Sequence, residues 1–298
     1  MMYDKFNRPL ELIEILAGDD PAESRCATPS AYGGSVASVF PSEHIVTFMK
    51  VMAALGLRKA LLTGKEPLSR PDIVELVSGL GIVRPKMEIT IRTSSPLLPR
   101  YIQALVQAGA GEIWVAIPTI DRSLFSSITG QPAHTLDELM EGARLGRQLG
   151  ASVVVEAFNA PGVDRREVAG VASWALSMGY PVRIAERAVE DENNGLMDWL
   201  LEEINQVHPL EKDAGRYHWK SVQAGTRLEY ITATSQKNCY DCRRLWLSAE
   251  GKIKLCNHHH DEHDLGELFE NNLCDMDLLE FASKIPLNKP QGFYLRNC

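Results

Sequence analysis

The sequence lacks the features of several common protein classes. No stretch approaches the roughly 18 consecutive apolar residues of a membrane helix, and charged Asp4 and Lys5 interrupt the start where a secretory signal would be apolar. Basic residues number 31 against 39 acidic ones, for a formal net charge of −8, which disfavours a phosphate-binding surface. We therefore expect a cytoplasmic protein that binds neither a membrane nor nucleic acid. Nothing in the sequence fixes its oligomeric state.

Cysteine is also scarce, since the six cysteines among 298 residues are too few for a disulfide scaffold. Three of them nevertheless have metal-ligand spacing, because Cys239 and Cys242 are followed by Cys256 in a C-x2-C-x13-C pattern. Two thiolates in one turn and a third after a hairpin can hold one metal centre and leave a fourth position open. On spacing alone, zinc completed by His258 and a [4Fe–4S] cluster fit equally well.

Apolar runs rich in β-branched residues alternate with segments of helical periodicity. The runs occupy residues 59–63, 88–91, 113–117, 152–157 and 181–185. Such alternation predicts a parallel sheet with right-handed crossovers. A further helix is expected after Pro41, with Ser42 as its N-cap.

We predict an α/β fold in which an α/β barrel, complete or partial, spans residues 1–215. An open doubly wound sheet is the alternative, because periodicity does not separate the two. The character changes after this point: residues 216–298 are expected to form a second region of strands and turns, with a hairpin turn at Glu250 and Gly251.

The segment RKALLTGKEPLSR at 58–70 resembles the LTGGEPLLR region of radical S-adenosylmethionine (SAM) enzymes, and within them the GTP 3′,8-cyclases of molybdenum-cofactor biosynthesis. Residues 125–130, 182–186 and 239–256 resemble further blocks of that family in the same order. The resemblance implies a partial (βα)6 barrel with a β-rich C-terminal extension. It also implies a [4Fe–4S] cluster on Cys239, Cys242 and Cys256 with one open iron, which favours iron–sulfur over zinc.

Other family positions differ in this chain. The family's first cluster requires C-x3-C-x2-C, where this sequence has Cys26, Ser30 and Gly33. The positions expected to contact SAM are also changed, namely Gly64-Lys65, Thr93-Ser94-Ser95, Ala116 and Pro118. These departures predict a single cluster per chain and make SAM unexpected as a cleaved cosubstrate.

The family's GTP site is only partly present. Lys59 and Arg244 match basic family positions, whereas Leu61, Val154 and Trp246 replace basic residues. We therefore expect a smaller anionic or amino-acid-like substrate. Its predicted contacts are the charged residues Lys59, Lys65, Glu66, Arg183 and Arg244.

These inferences lead to the hypothesis of a repurposed enzyme in which the open iron supports non-radical Lewis-acid chemistry, as in a lyase, an isomerase or a sulfur-removing enzyme. Glu186 is the candidate base, and His258 or His259 the candidate acid. Cys298, the last residue, is a candidate fourth ligand, acid or nucleophile. The alternatives are a non-catalytic pseudoenzyme with a structural cluster or zinc, which binds a ligand or a partner, and unconventional use of SAM.

Overall fold

The computed structural model describes residues 2–18, 39–64, 66–159, 163–186, 195–213, 218–223, 225–231, 242–256, 262–270 and 275–290. A short hairpin of β1 (Met2–Tyr3) and β2 (Pro9–Leu10) precedes the main sheet. Six parallel strands, each paired with the next along the chain, form the centre of that sheet: β3 (Leu12–Gly18), β4 (Lys59–Gly64), β5 (Glu88–Thr93), β6 (Glu112–Ala116), β7 (Ser152–Phe158) and β8 (Val182–Ala185).

Helices follow these strands and cover one face of the sheet. They are α1 (Ser42–Leu55), α2 (Ile73–Gly81), α3 (Leu98–Ala108), α4 (Arg122–Thr129), α5 (His134–Gln148), α6 (Arg165–Ser177) and α7 (Leu196–Val207). Strand residues alternate between the helix-covered core and the opposite face. Along β3, for example, Ile13 and Ile15 are fully buried in the core, whereas Glu14 lies between them and is only half-buried. We call the inner, helix-free face the lumen.

The C-terminal strands extend both ends of this sheet. Beside β8 lie β11 (Arg227–Ile231), β10 (His218–Ser221) and β9 (Leu210–Lys212), and beside β3 lie β12 (Arg244–Leu247), β13 (Lys252–Lys254) and β14 (Glu262–Asp264). Both β11 and β12 run parallel to their neighbours in the barrel, yet in the described part of the chain they do not pair with each other. The sheet is therefore a partial barrel, as predicted. Two helices, α8 (Leu265–Glu270) and α9 (Asp275–Asn288), complete the described fold.

Two local features differ from the sequence predictions. Strand β3 has no counterpart among the predicted runs, because Glu14 interrupts its apolar residues. Ser42 is the first residue of α1 and not its N-cap, and its hydroxyl donates to the Asp72 carboxylate at 2.6 Å, which joins the starts of α1 and α2. The boundary at residue 215 stays a prediction, since strands beyond it belong to the same sheet. No helix among the described residues is long and apolar enough to cross a membrane.

Candidate metal and substrate site

The predicted site residues divide between the two edges of the parallel sheet. At the amino edge, where the parallel strands begin, Arg244 pairs with Leu12, and Leu12 pairs with Lys59. Two strand spacings therefore separate Lys59 from Arg244, a backbone distance of about 10 Å. At the carboxyl edge, Glu66 follows β4 and Glu186 follows β8 directly.

Cys242 and Cys256 both lie at the amino edge. Cys242 precedes β12, and Cys256 follows β13, which runs antiparallel to β12 with Lys254 opposite Trp246. Because β13 runs back toward the start of β12, its end returns to the same edge. The hairpin that the sequence predicted thus brings two of the three expected metal ligands to one end of the barrel.

A buried lysine occupies the space beside these two cysteines. The side chain of Lys289 is 1% exposed, and its ammonium donates to the carbonyl oxygens of Arg244 at 2.7 Å and Leu255 at 2.5 Å. The side chains of Cys242 and Cys256 both lie within electrostatic range of this ammonium, and Cys242 is the stronger influence on it. Burial lowers the pKa of Lys289, and Cys242 opposes this effect. Lys289 thereby connects the two segments that carry the cysteines.

A second cation, Arg8, lies near this position. Arg8 forms an ion pair with Asp4 at 2.6 Å and donates to the carbonyl oxygen of Pro290 at 2.8 Å, close enough to Lys289 for their charges to repel. Cationic surroundings stabilise thiolates and the anionic centres that thiolates form. The chemistry of this edge therefore fits an iron–sulfur cluster on cysteine ligands.

The remaining residues of the predicted site are not among those that the structure describes. They are Cys239, His258, His259, Cys298 and Lys65. The described part contains no group of three side chains suited to a metal ion. The three-cysteine set and the predicted acids thus stay predictions, of which the structure describes Cys242 and Cys256.

The lumen carries ion pairs where a barrel interior is ordinarily apolar. Its arginines each contact a glutamate of another strand. The N–O distances are 2.7 Å for Arg244–Glu14, 2.9 Å for Arg92–Glu156 and 3.2 Å for Arg183–Glu229. The Arg183 guanidinium also lies 4.1 Å from the ring centre of Trp114.

Sequence reasoning overlooked Arg92 and Glu156. Both are buried, at 8% and 3% exposure, and their pair joins β5 to β7 across β6. The small side chain of Ala116, level with Glu156 on β6, leaves room for this contact. A charged residue at an inward position of an otherwise apolar strand is a signal that could have revealed them, because buried charge requires a partner.

At the carboxyl edge, Glu66 is held entirely by the protein. Its Oε1 accepts from the Thr93 hydroxyl at 2.6 Å and the Leu68 amide at 3.1 Å, and its Oε2 accepts from the Ser94 amide at 2.9 Å and hydroxyl at 3.4 Å. Burial raises the pKa of Glu66, although these hydrogen bonds favour its ionised form. A carboxylate has about four acceptor positions, and the four donors around this one join β4 to β5. The role of Glu66 as a substrate contact stays a prediction.

Glu186 lies at the end of β8, as expected for a residue of the carboxyl edge. Its amide donates to the carbonyl oxygen of Ile231 at 2.8 Å, which continues the pairing of β8 with β11. Its charge adds to the burial that raises the pKa of Tyr230. The role of Glu186 as a base stays a prediction, and its position is at the edge opposite to the cysteines.

Fold and site together define a class of protein, a partial α/β barrel with cysteines on an extension at its amino edge. Sequence models identify the family: the one described as the radical SAM superfamily matches residues 26–175, and one described as Molybdenum Cofactor Synthesis C matches residues 192–295. The chain belongs to the radical SAM superfamily.

Several relatives in sequence bear the name GTP 3′,8-cyclase. The protein from Thermodesulfovibrio yellowstonii is 24% identical over 310 residues, covering 98% of this chain and 95% of that protein. The protein from Paenarthrobacter nicotinovorans is 26% identical over 267 residues, covering 81% and 75%. Among solved structures, Streptococcus suis SuiB bound to S-adenosylmethionine matches 86% of this chain with a TM-score of 0.63 at 13% identity, which is a similarity of fold. This chain spans 61% of that structure's length.

These comparisons confirm the predicted family and fold, and they correct the predicted function. The hypothesis of a repurposed, non-radical lyase or isomerase is wrong, because the relatives that match nearly the whole chain are named GTP 3′,8-cyclase. The coarser expectation of an enzyme family is confirmed. The expectation of a single cluster, with SAM unlikely as a cleaved cosubstrate, gains no support, since the family that matches residues 26–175 is described as the radical SAM superfamily.

The family's first cluster does not match the donors present in this chain. Residues 19–38 lie outside the described part, but their sequence provides Cys26, Ser30 and Gly33 at the three ligand positions. Glycine has no donor side chain, and serine has a hydroxyl in place of a thiolate. One thiolate of three therefore remains at this position.

Proposed function

We propose that this protein is an enzyme that binds a [4Fe–4S] cluster at the amino edge of its barrel, through Cys239, Cys242 and Cys256, and a small polar substrate in the adjoining lumen. The contacts of Lys289 with Cys242 and with both ligand-bearing segments support the cluster. Zinc on the same cysteines is the alternative. When bound, a cluster with three cysteine ligands supplies one iron without a protein ligand.

The charge balance of the lumen indicates the class of substrate. Arg92, Arg183 and Arg244 each already contact a glutamate, so each of these three positive charges is matched by a negative one. A polyphosphate would have to share each arginine that it contacts with a glutamate, or displace that glutamate, and in either case would lie beside a carboxylate. A zwitterion or an uncharged polar molecule meets neither obstacle. Of the two predicted substrate classes, the amino-acid-like one therefore fits better than the anionic one.

A second candidate, GTP, follows from the names of the relatives and from the amino edge. Lys59 is half exposed there and lies 3.6 Å from Glu88, an exposed contact of the kind that contributes little energy. With Arg244 two strands away, this edge could accept phosphate groups next to the lumen.

Calorimetric titration of the anaerobically reconstituted protein with GTP, guanosine, inorganic triphosphate and α-amino acids compares the two candidates. We expect GTP to bind less than about tenfold more tightly than guanosine, a difference of at most about 1.4 kcal/mol. We also expect inorganic triphosphate to bind weakly, and the affinity for GTP to change little with salt concentration. Tight, steeply salt-dependent binding of GTP and triphosphate would contradict the proposed substrate class and favour the cyclase substrate.

A further inference from the structure

Lys289 is a lysine at a fully buried position. It follows the last residue of α9, and its side chain is among the largest fully buried ones in the described structure. Lysine is almost never fully buried unless its charge is paired. Its ammonium donates to two backbone carbonyls and lies within electrostatic range of the Cys242 and Cys256 sulfurs, and none of these groups is a carboxylate. The cysteine side chains are the groups that can supply the opposite charge.

Two of the three donors of the ammonium are used by backbone carbonyls, which leaves the third for a cysteine sulfur. One carbonyl belongs to Arg244 in β12 and the other to Leu255, directly before Cys256. The ring of Trp246, whose centre lies 5.4 Å from the lysine nitrogen, faces the same ammonium. A single side chain thus fixes the backbone next to Cys242 and next to Cys256.

We propose that Lys289 is a positioning residue of the metal centre, which holds the two cysteine segments in register and offsets the negative charge of a thiolate-bound cluster. This inference rests on the proposed cluster. Hydrogen bonds to sulfur and nearby positive charge set the reduction potential of iron–sulfur clusters. Because reduction adds negative charge, a fixed ammonium favours the reduced cluster, and its removal makes the potential more negative.

The test compares three variants of the full chain. Lys289→Gln removes the charge and keeps N–H donors, and Lys289→Arg keeps the charge in a different shape. Lys284→Gln is the matched control, because Lys284 lies on α9 directly upstream of Lys289, is exposed and pairs with Glu280. The readouts are iron and sulfide per chain, the rate of iron loss to a chelator, and the midpoint potential from a redox titration followed by electron paramagnetic resonance.

We expect Lys289→Gln to lose iron about 10- to 100-fold faster than the wild type, the range for residues that support metal ligands, and to have a more negative potential. Lys289→Arg should lose iron faster at a potential near that of the wild type, and Lys284→Gln should match the wild type in both. If Lys289→Gln does not fold, the iron-loss rate of Lys289→Arg decides the outcome.

The role of Lys289 is overturned if the Lys289 variants that fold lose iron at the rate of the wild type and have its midpoint potential. The proposed cluster would still stand in that case. A wild-type protein that binds no iron and sulfide would instead refute the proposed function. The two failures are therefore distinguishable.

Discussion

At the carboxyl edge of the barrel, Glu66 is enclosed by hydrogen bonds from Thr93, Ser94 and Leu68, whereas at the amino edge Lys289 directs its charge at Cys242. The first carboxylate is surrounded by donors of the protein, and the second site places a buried ammonium near two cysteines that are predicted metal ligands. The sequence shows a contrast of its own, because the C-x2-C-x13-C pattern has all three of its cysteines and the segment at 26–33 has one. The two cysteine motifs of the chain have therefore diverged separately from the family pattern.

The largest effect expected from this contrast is on iron content. Cys242→Ala should abolish the cluster and destabilise the C-terminal region, since metal binding and local folding are coupled. Cys26→Ala is the matched control at the other motif, and it should keep the iron content of the wild type. Iron and sulfide analysis checks both variants. A loss of iron in Cys26→Ala would show that both motifs hold metal and would remove the contrast.

The buried ion pair in the lumen should have the next largest effect. Arg92→Met leaves Glu156 as a buried charge without this partner, and breaking such a pair costs about 3–5 kcal/mol of unfolding free energy. Arg122→Met removes an exposed pair with Asp137 and should change stability little. Urea unfolding of the two variants measures the difference. Equal stabilities would show that the lumen pair is solvated and does not contribute to the free energy of unfolding.

Charge balance at the amino edge of the lumen can be altered by one substitution. Glu14→Gln releases Arg244 from its partner and should strengthen binding of inorganic triphosphate about tenfold. Glu11→Gln, which releases the exposed Arg243 nearby, is the control and should have no such effect. Calorimetry with triphosphate compares them. The charge-balance argument fails if the two variants bind it equally.

The smallest expected effect is a change in pH dependence at the carboxyl edge. Because burial raises the pKa of Glu66 in the folded state, the unfolded chain ionises first as pH rises above the ordinary value of 4.5. The unfolded state then binds fewer protons, so the contribution of Glu66 to stability falls with rising pH through this window and is full below it.

Urea unfolding at several pH values should show this slope as a difference between the wild type and Glu66→Gln, which does not titrate. A difference that stays constant from pH 4 to pH 7, or that grows in favour of the wild type, would contradict the raised pKa.

Local sequence signals predicted the strands from β4 to β8 and the cysteine hairpin, because apolar runs and ligand spacing depend on residues close in the chain. An apolar run was not recognisable for β3, because Glu14 faces the lumen and interrupts the apolar residues of this strand. Lys289 could not be found in this way, because its carbonyl acceptors are 34 and 45 residues away in the chain. The partners Arg92 and Glu156 are likewise 64 residues apart. Such contacts arise from the tertiary fold.

The most direct test of the proposed metal centre is metal analysis of the wild-type protein purified without oxygen, combined with Mössbauer spectroscopy. The proposal predicts iron and inorganic sulfide in equal amounts, about four of each per chain, with the spectrum of a [4Fe–4S] cluster. Stoichiometric zinc without sulfide would contradict it.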